Sequence, residues 1–356
     1  METRQRLLSL DVLRGITVAG MILVNDGYGD TFAILKHSKW NGMTPCDLVF
    51  PFFLFIMGIS TYLSLRKFNF HISGKVVRKI SKRTIIIFGI GLFINWFGLL
   101  LNGDFGFDHL RIMAVLQRIA LCYFAVSFFA LLANHRYTLP VVFAILVAYG
   151  IVLLLGNGYV EDGSNIAARI DNVIFGYDHL YHKSAIDPEG LLGTLPSIAH
   201  TLIGFYCGRL MMRSKETTDK VLHFLLVGGI LVIFGYLLQF GLPLNKRNWS
   251  PSYVLMTCGL CSLLQGILMY VIDIRGKKQW TMPFLVFGVN PLFLYVLSEL
   301  MAIAFGHYGI NDWIYAGIHA VVYNTYFASL CFALSYVLIC GLVGYLLFKK
   351  NIYIKI

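Results

Sequence analysis

The sequence predicts an all-α fold: a polytopic membrane helix bundle of about ten transmembrane helices with both termini cytoplasmic. Three observations carry that prediction. Of the 356 residues, 58% are hydrophobic and only 13% are charged, against about 25% charged in soluble domains. The mean hydropathy is +0.71. Apolar runs near the roughly 20 residues that cross a bilayer recur along the whole chain. Together they exclude a soluble globular enzyme, a disordered chain and a secreted disulfide scaffold. No linker or internal repeat interrupts the pattern, so residues 1–356 read as one integral-membrane domain.

The first element is 8–26. It follows METRQR and looks like a signal peptide, but Asp11 and Arg14 interrupt it and no small-residue cleavage site follows, so it is read as a retained helix. The apolar runs 46–65, 84–101, 111–132 and 138–156 follow, then 194–212 after a long acidic loop. The last four are 221–241, 252–272, 281–305 and 327–348. In lipid every backbone group must be bonded internally, which makes each run a helix. Residues 312–326 are too short and polar to span, and are expected to lie in the interface or re-enter.

Orientation follows from the basic residues. Of the 29 lysines and arginines, 20 fall on the side of the termini and 7 on the other, with Arg14 and Arg118 left within the spans. Basic loops stay cytoplasmic. The formal charge of +11 therefore points to the lipid bilayer as partner. Nucleic acid is not expected, because no basic patch is interleaved with exposed aromatics on a soluble domain. Seven cysteines are read as small buried helix residues; Cys258 and Cys261 form a C-x-x-C with no second pair to complete a metal site.

Ionisable groups inside spans are costly and mark either buried pairs or function. Asp11 and Arg14 share a helix face three residues apart, as a local ion pair or as a site where Arg14 receives an anion. Gln117 and Arg118 fall about seven residues into 111–132, roughly 10 Å below the outer face. Arg118 cannot shed its charge and needs an internal anion, a ligand phosphate or a carboxylate such as Glu299. Asn290-Pro291 breaks the ninth helix, one way of building a midplane site. His179 and His182 could hold a metal at i, i+3 only with further ligands, and none is expected; His200 and His319 are pore-lining or core residues.

The richest segment is 25–47, NDGYGDTFAILKHSKWNGMTPCD. Asn25 ends the first helix, Asp47 begins the second at the same face, and His37 lies between them. A histidine beside a carboxylate can serve as general base or nucleophile, or simply as a loop residue with structural bonds.

At these residues the chain resembles the heparan-alpha-glucosaminide N-acetyltransferases and their bacterial relatives, within the transmembrane acyltransferase superfamily. The matching stretches are SLDVLRGITVAGMILVN (9–25), KHSKWNGMTPCDLVFPFFLFIMG (36–58), LRIMAVLQRIALCYF (110–124), DPEGLLGTLPSIAHTLIGFYCG (187–208), PLNKRNWSPSYV (243–254) and FGVNPLFLYVLSEL (287–300). The resemblance implies transfer of acetyl from acetyl-CoA to the amine of a terminal glucosamine-type sugar or glycan at the extracytoplasmic side. It puts the catalytic histidine of K-H-x-x-W-N-G at His37, with Asn25 and Asp47 beside it. Acetyl-CoA is expected against Arg14, Gln117, Arg118, Asn245, Lys246, Trp249, Ser250, Tyr253 and Asn290. A homodimer is a further expectation. The sequence departs from the family pattern in lacking the long luminal N-terminal domain and an extra first helix, and in an Asn25-to-His37 loop one residue longer. The short N-terminus without a targeting peptide suggests a bacterial inner membrane.

Two chemistries fit. His37 takes a proton while the amine attacks the thioester directly, or His37 is itself acetylated and passes the acetyl on. Direct transfer is preferred, because it needs only a base. A transporter for a small anion, built on the broken ninth helix, and a non-catalytic envelope subunit are the readings from other classes.

Overall fold

The computed structural model describes residues 7–181 and 184–354. Arg4, Arg6, His182, Lys183 and Lys355, used above in the charge count and the metal alternative, lie outside the described residues. Among those described, the chain is helical throughout and has no strand. The α-helices are α1 Leu8–Asn25, α2 Val49–Arg66, α3 Gly74–Leu101, α4 Val115–Leu132, α5 Thr138–Leu155, α6 Ile166–Phe175, α7 Thr194–Arg213, α8 Thr217–Leu238, α9 Pro251–Leu268, α10 Met282–Val289, α11 Pro291–His307, α12 Ile310–Val321 and α13 Thr325–Lys349.

All ten expected runs are helical. Eight described helices are long and apolar enough to cross a membrane, counting α9 with its π-helical extension to Ile274, and the α10–α11 pair makes a ninth if its 85° bend lies within one span. The run expected at 194–212 is a helix of 20 residues, α7, but a more polar one. Its Ser197, His200 and Thr201 are fully buried among its neighbours rather than facing lipid, so it tolerates polarity that a peripheral helix would not. The peripheral helices show the opposite pattern. Phe143, Ile151 and Leu154 of α5, Leu226 and Phe234 of α8, and Leu338 and Leu342 of α13 are exposed, as a lipid-facing surface requires.

Small residues set the closest helix contacts, where lipid offers no hydrophobic drive between helices. A Cβ on Gly58 of α2 would lie 2.1 Å from the Thr201 carbonyl oxygen of α7, and one on Gly204 would lie 2.1 Å from that of Phe55. Gly15 of α1 meets Gly288 of α10 in the same way, and Gly228 and Gly259 bring α8 against α9. The pairs α2–α7, α1–α10 and α8–α9 therefore stack almost backbone to backbone, and their ends are positioned with little slack.

Two boundaries differ from expectation. The fourth helix starts at Val115, not near residue 111, because 107–114 runs as a loop whose Ile112 N–H bonds the His179 carbonyl. Gln117 and Arg118 consequently sit in the first turn of α4 rather than two turns down. The third helix starts at Gly74, capped by Ser73, so its basic residues extend it beyond the apolar run. α12, from the stretch expected to be interfacial, is a 12-residue amphipathic helix with Trp313 and Val321 exposed and Tyr323 exposed just beyond it, the composition of an interfacial element. Among the described residues no cluster of metal-ligating side chains forms. All seven cysteines are free; six are buried as expected, while Cys331 is exposed on α13.

Candidate active site

The site lies at the end of the bundle where α1 finishes and α2 begins. The sequence Thr44-Pro45-Cys46-Asp47 folds into a capping box: the Thr44 side chain accepts from the Asp47 N–H, and the Asp47 carboxylate accepts from the Thr44 N–H at 3.0 Å. Proline at the first helical position is preset for that turn. The same Asp47 oxygen also accepts from Ser38 N–H at 3.1 Å and from the Thr44 hydroxyl at 3.1 Å. Its other oxygen lies 2.7 Å from Nδ1 of His37. Asp47 is fully buried, whereas His37 is half exposed. Three donors thus fix the carboxylate, and the carboxylate fixes the ring with one edge open.

Lys246 closes the group. Its Nζ is 2.9 Å from His37 Nδ1, 3.3 Å from Nε2 and 3.4 Å from Asp47. The turn that carries it is tightly held. Ser250 N–H bonds the Asn245 carbonyl, Asn248 N–H bonds the Asn245 side chain, and Asn245 Nδ2 donates to Asn41 at 3.2 Å. The Tyr253 hydroxyl reaches down to the Asp47 carbonyl at 2.5 Å. Cys46 Sγ is 3.1 Å from His37 Nδ1. A cavity of about 220 Å³ opens beside His37, lined by Val24, Gly27, Thr31, Lys36 and Ser329 among others.

Beneath this group lies a second polar cluster. Trp249, fully buried, places its ring 5.2 Å from the Arg118 guanidinium and edge-to-face with Tyr253 at 5.3 Å. Arg118 is also fully buried. Its Nη2 donates to the Gly190 carbonyl at 2.8 Å, not to Glu299, the carboxylate named from sequence as one of its candidate partners. A Cβ on Gly193 would lie 2.7 Å from that same nitrogen, so a larger residue there would have to push the guanidinium aside. Three buried N–H donors of this cluster have no hydrogen-bond partner among the described residues, Arg118 Nε and Nη1 and Trp249 Nε1; the Gln117 amide, which packs against Gly91 of α3, is unpaired too. Such atoms are costly to bury. They give the cluster spare donors for a polar ligand.

Half of the acidic loop's carboxylates are neutralised by arginines from other segments. Arg111 holds Asp187 at 2.6 Å and Glu189 at 2.8 Å, and Arg247 bonds Glu161. Burial would raise the Glu189 carboxyl, but Arg111, Arg118 and Lys246 hold it below its ordinary value. Burial pushes Asp171 up to about 6, against the Leu191 N–H bond that favours its charge.

The remaining sequence candidates are placed elsewhere. Asn25 donates to Glu299 at 3.0 Å rather than to His37. Its neighbour Asp26 is buried, and burial followed by the nearby Glu299 pushes its carboxyl up to about 8. Arg14 bonds Asp11 at 2.5 Å and the Gly288 carbonyl at 2.7 Å, the local ion pair of the two readings. Asn290 lies at that same end, opposite His37. Its amide donates to the Ile352 carbonyl and accepts from Ile354 N–H. The break it marks is therefore anchored to the C-terminal segment rather than lying beside the His37 group. His179 bonds the Leu110 carbonyl through Nδ1 at 2.7 Å. Sequence reasoning missed Thr44, Cys46, Asn41 and Asp26. Of these, only Thr44 carried a readable signal, the T-x-x-D spacing of a capping box.

The family model described as Heparan-alpha-glucosaminide N-acetyltransferase, catalytic, matches residues 6–239, from the start of α1 to the end of α8. The chain is 32% identical over 353 residues to the Homo sapiens heparan-alpha-glucosaminide N-acetyltransferase, covering 83% of this chain and 53% of that protein. It is 32% identical over 362 residues to the Mus musculus protein of the same name, covering 84% and 55%. The chain spans about half the length of the curated relatives it matches.

Proposed function

The chain belongs to the heparan-alpha-glucosaminide N-acetyltransferase catalytic family, and from that premise we propose that it moves acetyl from acetyl-CoA to the amine of a terminal glucosamine-type sugar on the extracytoplasmic side of a bacterial inner membrane. The observation that carries the reading is the His37 ring held at 2.7 Å by a buried carboxylate that three other donors fix in place. That is the arrangement of a base with a set tautomer.

In the proposed reaction Asp47 accepts from Nδ1–H and leaves Nε2 to take the proton from the acceptor amine. The amine attacks the thioester carbonyl, and CoA leaves as the thiol. Direct transfer remains the preferred route. Gln117, Arg118 and Trp249, with spare donors, face the acetyl and pantetheine end of the donor; Asn245, Ser250 and Tyr253 hold the turn that presents Lys246. Arg14 and Asn290 lie at the opposite end. Arg14 is about 16 Å along α1 from Asn25, so any contact they make is with the nucleotide end of an extended CoA. Asn25 donates to the developing oxyanion only after turning from Glu299. The acceptor subsite is the cavity beside His37, whose lysine and hydroxyls suit a single sugar ring.

The test is transfer from labelled acetyl-CoA to glucosamine by purified protein, beside His37→Ala and Asp47→Asn. Transfer by the native chain is expected. His37→Ala should lower it by about 10²–10⁴-fold, and Asp47→Asn should also reduce it. Full activity in His37→Ala would overturn the mechanism. Bound acetyl-CoA with no transfer would reject the acceptor and keep the donor.

A further inference from the structure

The site already contains a primary amine against its own base. Lys246 Nζ lies 2.9 and 3.3 Å from the two ring nitrogens of His37. It is the only amine recorded within hydrogen-bond reach of that ring among the described residues. The acceptor amine of the proposed reaction must come to the same ring. Lys246 therefore stands where an acceptor amine has to stand. It is held there by the 245–250 turn and by Asp47 at 3.4 Å. Its side chain is 14% exposed beside a half-exposed imidazole, so it borders the open edge of the site.

We propose that Lys246 is a self-acetylation site: in acetyl-CoA without acceptor, the enzyme acetylates its own Lys246 Nζ through His37. This rests on the acetyltransferase reading above. His37 takes a proton from the ammonium, and the freed amine attacks the thioester carbonyl carbon. An N–C amide bond forms and the C–S bond breaks. CoA leaves as a thiolate and takes up a proton. Nothing is oxidised or reduced. The product is an amide, which does not pass its acetyl to a sugar amine as a thioester does. It also removes the positive charge beside Asp47 and places an acetyl group over the His37 ring. The modified enzyme is switched off, and acceptor protects it by occupying the same position.

The experiment incubates purified native protein with labelled acetyl-CoA alone, maps the label by peptide mass spectrometry, and then measures transfer to glucosamine. The expected result is one acetyl on Lys246, a tenfold or greater fall in subsequent transfer, and protection by glucosamine present from the start. Lys246→Arg should keep whatever rate it begins with through the same incubation. His37→Gln, checked for an unchanged melting temperature, should leave Lys246 unlabelled. Native protein that acetylates glucosamine while Lys246 stays unmodified would overturn the inference alone. Equal labelling of Lys246 in His37→Gln would also overturn it, because the acetylation would then be uncatalysed. Labelled Lys246 with no transfer to glucosamine would uphold the inference and reject that acceptor. Neither label nor transfer would remove the acetyltransferase reading and the inference with it.

Discussion

Asp26 shows how a single residue at a helix end sets the response to pH. It follows the last residue of α1, is buried, and has a carboxyl pushed up to about 8 by burial and then by Glu299. Its folded-state value is above its unfolded one, so the folded state binds the extra proton between those values. The favourable balance is complete below about pH 4 and is lost as pH rises through 8. Asp26→Asn should therefore raise the melting temperature in detergent, more at about pH 9 than at about pH 5. An equal gain at both values would show that the carboxyl does not titrate in that window. The residue scale also shows what was legible in sequence. His37 and Asp47 were readable because ten positions and one helix start fix their common depth. Lys246 and Glu299 were named, but the pairing of Lys246 with His37, 209 positions away, and of Glu299 with Asn25, 274 away, was not legible, because nothing local records which helices close the ring.

Among the elements, α7 is the informative case. Its length was legible, but its polarity reflects its central place, which only the packed neighbours reveal. The contact that places it is steric: Gly204 lies where a Cβ would be 2.1 Å from the Phe55 carbonyl oxygen of α2. Backbone cannot yield as a flexible side chain can. Gly204→Ala should destabilise the protein by about 1–3 kcal/mol, the range for overpacked interiors. Gly229→Ala on α8, where an added Cβ meets nothing within 4 Å, is the matched control and should be neutral or mildly stabilising. Thermal melts of the two variants in one detergent make the comparison. Equal melting temperatures would show that α2 and α7 separate freely at that point.

At the scale of the whole molecule, apolar content and basic loops predict the bundle and its direction in the membrane. The predicted orientation puts the Lys349–Lys350 end in the cytoplasm and the 157–193 loop outside. A dual alkaline-phosphatase and fluorescent-protein reporter at the C-terminus should fluoresce without phosphatase activity, and the same reporter inserted at Gly163 should give the reverse. Matching signals at both positions would overturn the orientation. What sequence left open is how the acidic outer loop behaves. Three of its carboxylates, Asp187, Glu189 and Glu161, are taken up by Arg111 and Arg247, partners far away in the chain.

The bend at Asn290–Pro291 has a consequence in time. Its side chain is tied to Ile352 and Ile354, which follow it by 62 and 64 residues. Because a chain leaves the ribosome from its N-terminus onward, α10 and α11 are made while the residues that clip their elbow do not yet exist. The His37–Asp47 pair, ten residues apart, can form early in synthesis. The elbow is fixed last, after α13 has been inserted.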